Sequence, residues 1–223
     1  MAEPAIRLHH AHGTRSQRVL WLLYELGVPF ELQIWPFDKT LRSPEFARLN
    51  PVGRVPALEV NGAVILESGA MVEHLCELFP EAALGRAIGD PDRGAWLQWV
   101  HFAETISVHA ANLTQQHVML YDDSQRSPII MNLEARRLAK TLSLIEAALD
   151  GPYLLGDAIT AADIGTGQAA DMATRFVRLD EMPKVAAWLG RLRAREAFQK
   201  AAPPEGQGIY HHEFYAPWPM ASR

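Results

Sequence analysis

The chain has 223 residues, 48% hydrophobic and 21% charged, with a formal net charge of −5, so it is long and apolar enough to bury a real core as one large domain or two small ones. The net acidity and the lack of a basic stripe point away from nucleic acid as a partner, and no apolar run reaches membrane-spanning length. A single cysteine, Cys76, excludes an internal disulfide framework and any multi-cysteine zinc site.

The opening Met-Ala-Glu-Pro-Ala-Ile-Arg-Leu has neither the basic nor the apolar region of a signal peptide, so a cytoplasmic location is expected. Ala5 to His9 carries a short strand signal, followed by a turn over His10 to Thr14. Ser16 to Leu26 places Val19, Leu20, Leu22, Leu23 and Leu26 at helical spacing, and Gly27 supplies the stop. Phe30 to Ile34 reads as a second strand, which makes the opening segment a right-handed βαβ unit. A short helix opens at Ser43-Pro44-Glu45 and ends near Asn50.

The stretch from Asn50 to Ser68 is densely punctuated. Pro56 lacks an amide proton and marks the entry to a strand rather than its middle. Val55-Pro56 is a candidate cis peptide, which would leave the Val55 amide and carbonyl facing outward and free to pair with an extended peptide. Asn61-Gly62 is the dipeptide preferred in type I′ turns, so Ala57 to Val60 and Ala63 to Leu66 should form a hairpin. Ser68 falls at the expected N-cap of a helix carrying Met71, Val72, Leu75, Leu78 and Phe79. Its hydroxyl and the free amides of that first turn suit an anion, most naturally a carboxylate. Cys76, inside this helix, reads as a small apolar residue.

Glu81 to Pro91 breaks the pattern with Gly85, Gly89 and Pro91 and reads as a linker, which divides the chain into residues 1–82 and 92–223. Beyond it the period is helical: residues 92–119, 128–149, a helix from Thr160, and one or two from Pro183 to about Lys200, together an α-helical bundle. Thr160-Ala-Ala-Asp163 has capping-box spacing, and Asp163 among apolar residues is a buried carboxylate in need of fixed donors. The tail from Ala201 to Arg223, with His211-His212, reads as a coil with aromatic anchors rather than a metal site, since adjacent histidines share no helix face.

Three motifs in this order, Asn50-Pro51-Val52-Gly53-Arg54-Val55-Pro56-Ala57-Leu58, Leu66-Glu67-Ser68 and Gly156-Asp157-Ala158-Ile159-Thr160-Ala161-Ala162-Asp163-Ile164, resemble the glutathione transferase superfamily over nearly the whole chain. The resemblance implies a thioredoxin-like α/β N-terminal domain that binds glutathione as co-substrate, and an all-α C-terminal domain that shapes the electrophile pocket. It also implies a cytosolic homodimer that needs no metal. By that resemblance the Val55-Pro56 backbone pairs with the cysteinyl part of glutathione, Glu67 and Ser68 take the γ-glutamyl ammonium and carboxylate, and Arg54 holds the glycine carboxylate. Glu104, in Trp99-Val-His-Phe-Ala-Glu104, resembles the carboxylate that approaches the glutathione amine from the partner subunit. His101, Ile106, His109 and Tyr121 are the candidates for the electrophile pocket.

Thiol activation is where the chain departs from the family. A free thiol has a pKa of about 8.5 and needs a donor to lower it. The family supplies Tyr, Ser or Cys after the first strand, but His9 to Arg18 contains neither Tyr nor Cys. Relatives carrying Ser-Arg-Ser before Arg-Val-Leu-Trp align Thr14 with the first serine and Ser16 with the second, so Thr14 is the first candidate donor. Ser16 is the second, with a plain N-cap as its other reading. His9, His10 and His12 would tune the site, hold a water or simply be solvated. Three activities stay open: transfer of glutathione to an electrophile, glutathione-dependent disulfide or peroxide reduction, and a binding or assembly role on a fold that has lost its chemistry.

Overall fold

The computed structural model describes residues 4–215. Four strands, β1 (Ile6–His10), β2 (Glu31–Ile34), β3 (Ala57–Val60) and β4 (Ala63–Ile65), form a mixed sheet in the order β2-β1-β3-β4. β1 runs parallel to β2 and antiparallel to β3, with His9 opposite Ala57, and β3 returns into β4. Positive φ at both Asn61 (51°) and Gly62 (82°) is what a type I′ turn requires. Helix α1 (Ser16–Leu26) packs on β1 and α3 (Ser68–Leu78) packs beside α1, and α2 (Pro44–Ala47) is a single turn started by the Ser43 hydroxyl.

The remainder is helical: α4 (Arg93–Thr114), α5 (Pro128–Ala148), α6 (Ala161–Ala173), α7 (Pro183–Arg193) and α8 (Glu196–Ala201). A thioredoxin-like sheet unit followed by a helical region is the architecture the sequence implies. α6 is buried along nearly its whole length and is the axis against which α4, α1 and α7 pack. A glycine allows this: a Cβ added at Gly167 would overlap the Leu192 side chain of α7 and lie 3.6 Å from the Trp21 ring of α1. At the start of α6 the Asp163 carboxylate accepts from the Leu154 amide (2.8 Å), the Thr160 amide (2.9 Å), the Thr160 hydroxyl (3.1 Å) and the Trp188 indole (3.1 Å). Burial pushes its pKa up, and these four donors oppose that.

Two local differences bear on the site. β1 extends one residue further than the sequence suggests, so His10 is a strand residue and not part of the turn. Side chains alternate along a strand, so His9 and His10 face opposite sides of the sheet. The long helix closes in a π turn over Gln115–Met119 instead of continuing as α-helix. Beyond α8 the tail runs without regular structure to Tyr215, and the part of the expected coil from 216 to 223 lies outside the described residues. Among the described residues no helix is long and apolar enough to cross a membrane.

Candidate functional site

A cleft of about 420 Å³ lies between the sheet unit and the helical region. Thr14, Arg54 and Val55 form one side, Ser107, Ala111, Thr114, Gln115 and Met119 of α4 and its π turn the other, and Ile209 and Tyr210 of the tail close it. Larger hollows of about 610 Å³ lie beside α6 and beside α8, but neither includes Thr14 or Val55.

The Val55 wall is built by the loop before β3. Val55-Pro56 is cis, and among the described residues the Val55 amide takes no partner in the loop and turn bonds. Asn50 holds the loop in shape: its amide donates to the Arg54 carbonyl at 2.7 Å, and its side-chain oxygen accepts from the Val52 amide at 3.0 Å. The Arg54 side chain stays exposed at the rim, and Pro56 is buried behind the wall.

The chain enters α3 one residue earlier than expected. Glu67, with φ of 71°, is the cap residue, and its carbonyl accepts the first helical amide, Met71, at 3.0 Å. Ser68 is therefore the first helical residue and not the N-cap. Its hydroxyl, turned inward, accepts from Arg18 at 3.3 Å. Glu67 is exposed beside the free amides of the first turn.

Arg18 is the functional-region residue that sequence reasoning missed. Only 1% of its side chain is exposed, and its guanidinium donates to Ser68, to Ser107 (2.8 Å), to Gln168 (3.3 Å) and to the Glu104 carboxylate. It thus ties α1, α3, α4 and α6 at one point. Arg15 reaches the other oxygen of Glu104 at 2.6 Å. Glu104 is therefore bonded to two arginines of its own chain. Burial would push its carboxyl up, but Arg18 and Arg15 outweigh that and hold it below the usual range.

Of the four side chains expected in an electrophile pocket, none lines this cleft. Ile106 is fully buried in the core, His109 turns to α5 and meets Glu134 at 2.7 Å, and His101 turns to α3 and meets Glu73 at 2.9 Å. Tyr121, past the π turn, is 94% exposed. Each residue along a helix rotates by about 100°, so an error of one position selects another face. The wall is instead made by Ser107, Ala111 and Thr114, spaced i, i+4, i+7. That stripe of small and hydroxyl side chains amid bulky ones was a signal available in the sequence.

Thr14 lines the cleft at 9% exposure, whereas Ser16 is fully buried beneath it. Ser16 is the first residue of α1, after Arg15, so it is not the N-cap, and it does not line the cleft. The Thr14 hydroxyl donates to the Ala11 carbonyl at 2.8 Å and contacts the Ser16 hydroxyl at 2.7 Å. Ser16 in turn lies 2.7 Å from His10 Nδ1, and His10 Nε2 lies 3.3 Å from His12 Nδ1. Burial, and then the neighbouring His12, push the His10 pKa down to about 4. His9 is buried on the opposite face of the sheet between the Trp35 indole (3.0 Å) and Glu59 (2.8 Å), so it is packed rather than solvated.

The tail is held over the cleft by Tyr210, whose hydroxyl lies 3.0 Å from that of Thr114, and by the Phe214 amide on the Arg175 carbonyl at 2.6 Å. Gly13 permits this approach. Its φ is 71°, and a Cβ there would lie 2.9 Å from the Ile209 amide nitrogen. Gly13→Ala is expected to cost about 1–2 kcal/mol from the left-handed backbone alone and to push the tail off the cleft. Faster proteolytic cleavage after Pro203, with the helices still intact, is the expected readout, and unchanged cleavage would contradict this reading of the tail.

Comparisons with known proteins agree with this fold. The family described as glutathione S-transferase, N-terminal domain, matches residues 8–83, and that described as glutathione S-transferase, C-terminal domain, matches residues 114–200. The chain is 30% identical to a glutathione S-transferase of Hyoscyamus muticus over 88% of this chain and 97% of that one. It is 29% identical to the glutathione S-transferase-like protein OpS6 of Beauveria bassiana, over 86% and 92%. Among solved structures, the glutathione transferase URE2P8 of Phanerochaete chrysosporium with oxidized glutathione superposes with a TM-score of 0.79 at 27% identity, covering 90% of this chain and 94% of its own. The theta class enzyme of Xanthomonas axonopodis pv. citri with glutathione bound gives 0.79 at 25% identity, covering 91% and 99%.

Proposed function

Since the chain belongs to the glutathione S-transferase family, we propose that it binds glutathione along the Val55 edge and stabilises its thiolate for transfer to a small electrophile. The observation that carries this reading is the Thr14 hydroxyl, which lines the cleft between the unpaired Val55 backbone and α4. In this proposal residues 1–82 hold glutathione. The Val55 amide and carbonyl pair with its cysteinyl unit, Arg54 meets the glycine carboxylate at the rim, and the first-turn amides of α3 with Ser68 and Glu67 take the γ-glutamyl end. Residues 92–223 shape the electrophile pocket through Ser107, Ala111, Thr114, Met119 and Tyr210. A cytoplasmic homodimer that detoxifies electrophiles completes the reading.

Titration of the thiolate absorbance of glutathione in the presence of the protein tests it. A bound-thiol pKa below the free value of about 8.5 is expected, and an unshifted value overturns the transferase reading.

Disulfide reduction with two glutathione molecules is the second reading, favoured by the similar Phanerochaete chrysosporium structure with oxidized glutathione. In that chemistry both sulfurs would come from glutathione. Cys76 is buried in α3 with its thiol pushed up to about 12, by burial first and then by Glu77 and Glu73, which leaves it almost no thiolate. Turnover of a model disulfide well above any conjugation rate would select this reading.

A further inference from the structure

Thr14, Ser16, His10 and His12 form a continuous hydrogen-bonded row that leads from the cleft to the far side of the first turn, and each short contact in it holds one proton. The Thr14–Ser16 contact of 2.7 Å and the Ser16–His10 Nδ1 contact of 2.7 Å admit two arrangements. If His10 carries its proton on Nε2, Ser16 must donate to Nδ1 and Thr14 must donate to Ser16, so no proton is left to face a sulfur. If His10 carries it on Nδ1, His10 and the Ala11 amide (3.2 Å) fill both Ser16 lone pairs, so Ser16 cannot accept from Thr14 and donates to it, and the Thr14 proton is not consumed within the row.

The buried Ala11 carbonyl distinguishes the two. Ala11 is fully buried, and among the described residues its carbonyl is approached only by the Thr14 hydroxyl at 2.8 Å and the Ser16 hydroxyl at 3.2 Å. In the first arrangement both hydroxyl protons are taken elsewhere and this carbonyl goes unsatisfied. In the second it receives the Thr14 proton. His12 Nδ1, 3.3 Å from His10 Nε2, is then the donor that holds the second arrangement in place.

We propose that His10 is a positioning residue which, held as the Nδ1–H tautomer by His12, orients Ser16 and thereby keeps the Thr14 hydroxyl proton outside the row, where it is shared between the Ala11 carbonyl and the glutathione thiolate. This rests on the glutathione reading above. The imidazole touches no substrate atom and need not change its charge. Its depressed pKa keeps it neutral, with a single ring proton, across the physiological range. Consecutive donors aligned toward one anion polarise each other, so the row strengthens the last bond.

Two measurements test this. On the unaltered protein with nitrogen-labelled histidine, two-bond hydrogen–nitrogen NMR correlations should give His10 as the neutral Nδ1–H tautomer, and an Nε2–H tautomer overturns the proposal whether or not glutathione binds. With glutathione present, His10→Leu should raise the bound-thiol pKa by about one while the calorimetric Kd for glutathione stays within about threefold. His10→Asn, whose amide N–H takes the place of Nδ1–H, should keep the pKa near that of the unaltered protein. An unchanged pKa in His10→Leu overturns the relay with the glutathione reading intact. Failure of the unaltered protein to bind glutathione overturns that reading and the purpose given to the relay. If His10→Leu does not fold, the tautomer measurement still decides.

Discussion

Thr14→Val should leave glutathione bound with nearly the affinity of the unaltered protein and slow its transfer to a chloronitrobenzene by about 10- to 100-fold. Valine has the shape of threonine and removes only the hydroxyl, so the cleft beside Val55 keeps its walls. A hydrogen bond to a charged acceptor is worth about 1.5–3 kcal/mol, and that difference appears in full when the bond is made to a thiolate and hardly at all to a thiol. The bound-thiol pKa should rise by about one to two as the same energy seen at equilibrium. Thr14→Ser keeps the hydroxyl and should stay within severalfold of the unaltered rate. Conjugation by Thr14→Val at the unaltered rate would move the donor elsewhere.

Glu104→Ala should lower the thermal midpoint by about 6–12 °C. The substitution leaves the Arg18 guanidinium, 1% exposed, without its carboxylate between α1, α3, α4 and α6. Stranding a buried charge costs about 3–5 kcal/mol. The low end applies because the Glu104 side chain is itself 41% exposed and already partly hydrated. At roughly 2–4 °C per kcal/mol for a chain of this size, about 3 kcal/mol gives the stated range. The pH dependence has a fixed sign. The Glu104 pKa is held low in the folded protein, so its contribution is fully present above its unfolded value of about 4.3 and is lost as pH falls through the folded value. Glu104→Ala should therefore narrow its stability gap to the unaltered protein in acid. A melting shift under about 2 °C at neutral pH would mean that water or Arg15 redistributes the charge.

The legible parts of the site are those set by backbone chemistry within a few residues. Val55-Pro56 could be placed at the strand entry because proline has no amide to give a sheet. Asn61-Gly62 fixed the hairpin because few residues tolerate two positive φ values in succession. Thr160 and Asp163 could be joined because three residues bring a carboxylate back over its own cap. The less legible parts turned on a single position. A strand one residue longer moved His10 from a turn to a buried strand position. A helix capped at Glu67 turned Ser68 toward Arg18. One step of helical rotation separated Ile106, in the core, from Ser107, in the cleft.

The sequence by itself determined the sheet unit, the helical remainder, the Val55 edge and the hydroxyl at Thr14, because each rests on residue type and local spacing. Only the tertiary structure decided that Arg18 is a buried hub, that Glu104 is engaged by its own chain, and that Ser16 lies beneath Thr14 rather than beside it. These outcomes depend on contacts between residues as far apart as Arg18 and Gln168. A buried charge or hydroxyl is defined by which distant groups satisfy it, and no local pattern encodes that choice.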